Sequence, residues 1–100
     1  MPMIQRQLIV DGMLSGTGIR DANVGGYVEV REIGISSGLV KRLEEWLSEY
    51  ENAHYCQFSD KVKNAELDVE GIAIARQIRE QLPDILVEYF SNAEMRRMAI

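Results

Sequence analysis

From Met3 to Val10 the sequence MIQRQLIV sets Leu8 and Val10 on one side of an extended segment and Ile9 on the other, which predicts a first strand. DGMLSGTGIRDANVGG follows, with glycines at 12, 16, 18, 25 and 26, and reads as a long connection or irregular hairpin. The next run, YVEVREIGI, places Val28 and Val30 on one parity and Ile33 and Ile35 on the other. A β-bulge near Arg31 and Glu32 in a second strand would bring all four to one core face.

Ser36 and Ser37 are N-cap candidates ahead of Leu39, Leu43, Trp46, Leu47 and Tyr50, a helical stripe that predicts a helix from Gly38 to about Ala53. The linker HYCQFSDKVKNAE then carries Tyr55 and Phe58, expected to fold back as a lid on the core. Asp68 is expected to cap a second helix to about Leu82, with Leu67, Gly71, Ile74, Ala75, Ile78 and Leu82 on one face. Gly71 lies on that apolar face, where the missing side chain lets another element approach closely. Pro83 stops the helix, since its ring clashes with the preceding turn, and DILVEYF reads as a third strand. The tail SNAEMRRMAI is expected to be a short edge helix or a frayed end.

Two amphipathic helices and three strands in the order β-β-α-α-β predict an α+β fold, a small two-layer sandwich with both helices on one face of a three-stranded sheet. No repeat, Pro-rich linker or low-complexity tract marks a boundary, so residues 1–100 are expected to form a single domain.

Composition narrows the function. The chain has 100 residues, 46% hydrophobic and 27% charged, with one Cys and a net charge of −5. No apolar run approaches the roughly 20 residues that span a bilayer, and the N-terminus lacks a secretion-type leader, so a reducing, cytoplasmic location is expected. Excess acid opposes binding to a phosphate backbone, which depends on Lys and Arg displacing counterions. Direct nucleic-acid binding is therefore not expected.

Candidate chemistry is sparse. His54, Cys56 and Asp60 offer a nucleophile, a base and an orienting acid within one loop, but functioning triads draw their members from distant segments. A structural zinc site needs four Cys or His ligands and the chain has one of each, so neither metal nor cofactor is implied. Gly16-Thr17-Gly18 matches neither G-x-G-x-x-G nor the P-loop and reads as a turn with positive φ. Sixteen acids make chance carboxylate pairs easy, and no predicted cleft sets two of them across a glycosidic bond.

Glu44, Glu45, Glu49 and Glu51 stand out because no Lys or Arg interrupts them. They occupy the second half of the first helix, where the macrodipole favours cations by about 0.3–1 kcal/mol each. One reading is a solvated face relieved by Lys41 and Arg42 one turn earlier. The other is an acidic patch for a basic protein partner, with Asp11 and Asp21 of the glycine-rich segment added to it.

As an ordered set, TGIRD at 17–21, GGY at 25–27, IGIS at 33–36, Trp46, YENAH at 50–54, LDVEG at 67–71, LP at 82–83 and EYFS at 88–91 resemble a widespread bacterial family of small proteins. Some small acidic α+β proteins of this kind are immunity proteins of polymorphic toxin systems, including contact-dependent growth inhibition. The resemblance implies stoichiometric neutralisation of a cognate toxin, often a basic nuclease, without catalytic residues or a cofactor. Two alternatives stand beside it: a small enzyme using the His54/Cys56 loop, and a homodimeric adaptor that hides Met95, Met98 and Ile100 against its twin.

Overall fold

A computed structural model of the chain describes residues 6–100. Within them lie β1 (Gln7–Asp11), β2 (Ile19–Asp21), α1 (Ser37–Tyr55), α2 (Lys61–Gln81), β3 (Leu86–Ser91) and β4 (Arg96–Met98). The fold is α+β in the expected order, but the sheet has four strands, arranged β2-β1-β3-β4. β1 and β3 run parallel at its centre, with Leu8 opposite Val87 and Val10 opposite Tyr89. Parallel neighbours need a long crossover, and the two helices supply it. Met3 to Gln5 of the expected first strand lie outside the described residues.

Leu8, Val10, Ile19, Val87 and Tyr89 point to the helices and join one core with Leu39, Leu43, Trp46, Tyr50, Ile74 and Ile78. Fully burying each large apolar side chain contributes about 1.5–3 kcal/mol. The other face of the sheet carries Ile9, flanked by Arg20 and Glu88, and there the Arg20 guanidinium lies 5.9 Å from the centre of the Phe90 ring.

The second strand differs from expectation. β2 forms inside the glycine-rich segment and pairs antiparallel with β1, while Tyr27 keeps only a single bridge to Arg20. In place of the bulge, Val30–Glu32 is a short 3-10 turn whose N-cap, Glu29, accepts from the Arg31 amide. Its i, i+3 geometry buries Val30 and Ile33 together, while Val28 and Ile35 pack half-buried against the same core. Positive φ at Gly26 (78°) and Gly34 (95°) ends extended backbone on both sides of the turn.

α1 agrees with its apolar stripe: Ser36 Oγ accepts from the Leu39 amide at 3.2 Å, and Leu39, Leu43, Trp46 and Tyr50 are buried. α2 starts one loop earlier than expected. Its N-cap is Asp60, which accepts from the Lys63 amide at 3.0 Å, because nothing in Lys61 to Leu67 breaks a helix. Asp68, the expected cap, lies mid-helix and is buried. The linker thus shrinks to a tight turn in which Gln57 and Phe58 take positive φ. Phe58 packs half-buried on the core, whereas Tyr55, expected beside it, is exposed.

Gly71 faces Tyr89 so closely that an added Cβ would stand 2.7 Å from Tyr89 Cζ. The tail is neither helix nor frayed end, since Arg96–Met98 adds a fourth strand antiparallel to β3. No helix among the described residues is long and apolar enough to cross a membrane.

Candidate functional site

At about 100° per residue Glu44 and Glu51 lie about 20° apart on α1, while Glu45 and Glu49 form a second pair about 40° apart on the side toward α2. The run therefore presents two acidic edges. On the first, Arg31 Nη2 reaches Glu44 Oε1 at 3.0 Å from the 3-10 turn, and Glu51 remains exposed. On the second, Lys63 Nζ of α2 lies 2.8 Å from Glu49 Oε2, and Glu45 has no ion pair among the described residues. The expected relief by Arg42 goes elsewhere, because its guanidinium forks onto Glu70 through Nε and Nη2, both at 2.7 Å, and donates to Gln77 at 2.9 Å. That fork holds the Glu70 carboxyl below its ordinary pKa and raises that of Arg42.

The second edge forms one wall of a groove of about 470 Å³ between α1 and α2. Glu45, Glu49, Glu66 and Glu70 line it against Arg42 and Lys63, four carboxylates to two cations. Trp46 and Leu67 make its floor, where Trp46 Nε1 donates to the Leu67 carbonyl at 2.8 Å. A buried indole that satisfies its donor on the opposite helix fixes the spacing of the walls. The groove is therefore preformed and acidic.

Asp11 and Asp21 do not join this groove. Asp11, only 1% exposed, accepts from Asn92 Nδ2 at 2.7 Å and the Met13 amide at 2.9 Å, and Arg20 Nη2 lies 3.5 Å away. The Tyr27 phenol beside it is raised in pKa, first by its own burial and then by the Asp11 charge. Asp21 closes its own turn, accepting from the Asn23 amide at 2.8 Å.

A second polar cluster, with no signal in local periodicity, lies between the helices and the sheet. Asp68 accepts from the Tyr89 hydroxyl at 2.6 Å, the Tyr50 hydroxyl at 3.1 Å and Ser91 Oγ at 2.8 Å, joining α2 to α1 and β3. Tyr50 in turn accepts from the Ala93 amide at 3.1 Å. Burial is the first cause that raises the pKa of both phenols. The cluster fixes how the helices sit on the sheet, and hence the groove above.

His54 and Cys56 do not face a common partner. His54 Nε2 is 3.0 Å from the Gly12 carbonyl and its ring meets Phe58 edge-on at 4.7 Å, while Cys56 is exposed. Of the tail residues, Met98 and Ile100 pack half-buried against their own core and Met95 is exposed. Among the described residues no three His, Cys, Asp or Glu side chains gather as metal ligands would.

A family model described as Serratia CdiI immunity protein-like matches residues 13–92, a span that runs from the loop after β1 to the end of β3 and includes the whole groove. No curated protein and no solved structure matches the chain.

Proposed function

The chain belongs to the Serratia CdiI immunity protein-like family, and we propose on that footing that it protects the cytoplasm by binding and blocking a cognate toxin domain of a contact-dependent growth inhibition system. The blocked domain is basic and of nuclease type. The observation that carries this finer reading is the α1/α2 groove, where four carboxylates outnumber two cations over a rigid apolar floor. Opposite fields raise the association rate and fix orientation, and carboxylates can occupy positions that phosphates take on a nuclease. Glu45 and Glu49 are the contacts assigned to the toxin. Glu44 and Glu51 lie on the other edge of α1, and Asp11 and Asp21 serve the fold.

Inhibition by occupancy needs neither a cofactor nor a catalytic group. The test is protection: cells that express a cognate contact-dependent growth inhibition toxin domain are expected to grow only when the chain is co-expressed. Continued death with the chain present and soluble contradicts the proposal.

A further inference from the structure

The outward side of α2 carries an apolar stripe that the fold does not use. Val62 and Val69 lie about 20° apart on the helix circumference, opposite the side on which Leu67, Ile74 and Ile78 enter the core. They are 70% and 69% exposed. With Ala65 they line a shallow hollow of about 600 Å³ bordered by Lys61, Glu66 and Glu70, the two acids being shared with the α1/α2 groove. Valine is a poorer helix former than Ala, Lys or Glu because branching at Cβ restricts χ1. Neither helix propensity nor core packing therefore accounts for two of them on a solvent face.

The surrounding charge indicates what covers the stripe. Arg42 and Lys63 are engaged by Glu70 and Glu49, whereas Glu66 and Glu45 make no ion pair among the described residues. An apolar strip beside an excess of carboxylates suits a partner segment that offers apolar side chains flanked by Lys or Arg. A second copy of this chain fits less well, since a twofold contact centred on the valines brings together two rims that each carry two carboxylates, Glu66 and Glu70, to one cation, Lys61.

We infer that the outward face of α2 is the centre of the toxin-docking surface, with Val62 and Val69 receiving apolar side chains of the toxin and Glu66 and Glu45 receiving a lysine or arginine beside them. This rests on the immunity reading above and deepens it by naming the surface and the chemistry of the segment it takes. The adjoining groove extends the contact toward the area per partner that a stable complex requires, about 800 Å².

The test measures binding kinetics of a purified cognate toxin domain, identified by the protection assay, against the full chain and its variants. Val62→Ala with Val69→Ala is expected to weaken binding about tenfold, mainly through faster dissociation, and Val62→Arg with Val69→Arg about a hundredfold or more. Glu66→Lys is expected to slow association and flatten its salt dependence, while Glu51→Lys leaves the affinity within about twofold. The alanine pair also serves as the folding control, because it raises helix propensity and should melt at or above the temperature of the unaltered chain. If the unaltered chain binds and both valine pairs bind within about twofold of it, the docking face is wrong and the immunity reading stands. If the unaltered chain does not bind, the immunity reading fails and this inference with it. An unaltered chain that sediments as a dimer, and becomes monomeric in the arginine pair, would assign the stripe to self-association and overturn the inference.

Discussion

The Tyr89 hydroxyl donates to Asp68 Oδ1 at 2.6 Å from the centre of the sheet, tying β3 to the middle of α2. Tyr50 and Ser91 share the same carboxylate, so three donors from two other elements depend on one acid. Asp68→Ala leaves buried hydroxyls without their acceptor, at about 1–3 kcal/mol for each one left unsatisfied. A loss of roughly 3 kcal/mol or more is expected in urea unfolding, with Asp68→Asn losing less because its amide oxygen still accepts. An Asp68→Ala loss under about 1 kcal/mol would show that the cluster does not hold the layers together.

The same phenols set an alkaline limit. The folded chain raises the pKa of Tyr89 and of Tyr50 above the ordinary 10.0, burial being the first cause for each. A raised pKa favours the protonated form in the native state, so the stabilisation is complete below about pH 10 and is lost as pH rises beyond it, by up to about 1.4 kcal/mol per pH unit for each group. Melting temperature is expected to fall above pH 10, and less steeply in Tyr89→Phe. Identical slopes in the two proteins would contradict the assignment.

At Gly71 the ring of Tyr89 packs directly against the backbone of α2. An added methyl would stand 2.7 Å from Tyr89 Cζ and 2.8 Å from its hydroxyl, inside van der Waals contact. Alanine gains about 1 kcal/mol of helix propensity, yet overpacking costs about 1–3 kcal/mol and displaces the hydroxyl from Asp68. Gly71→Ala is therefore expected to destabilise the chain in thermal unfolding. A higher melting temperature would mean that the ring yields freely.

How much of this the sequence disclosed depends on the range of each interaction. The α1 stripe, the close approach at Gly71 and the stop at Pro83 follow from local periodicity and backbone chemistry. β2 and β4 are three residues each, too short for alternation to register, and β4 reads Arg-Arg-Met. Asp68 resembles a cap in one dimension because its three donors lie 18 to 23 residues away. The acidic run and its two edges follow from positions 44, 45, 49 and 51 at about 100° per residue, but the cation that meets each edge does not. That pairing depends on Arg31 and Lys63, which reach Glu44 and Glu49 from other elements.

The two edges of α1 are expected to differ in toxin binding. Glu45→Lys reverses a charge in the groove and should slow association with the toxin domain and reduce its dependence on salt. Glu44→Lys acts on the edge held by Arg31 and should leave the association rate nearly unchanged. Stopped-flow mixing at two ionic strengths distinguishes them, and equal effects would remove the groove from the interface.

Inhibition by occupancy is stoichiometric, and titrating a fixed amount of toxin domain with increasing amounts of the chain measures the ratio. Residual toxin activity is expected to fall linearly and reach its floor at about one equivalent, with no further loss over time. Progressive inactivation of excess toxin by a small fraction of the chain, or full activity beyond one equivalent, would contradict it.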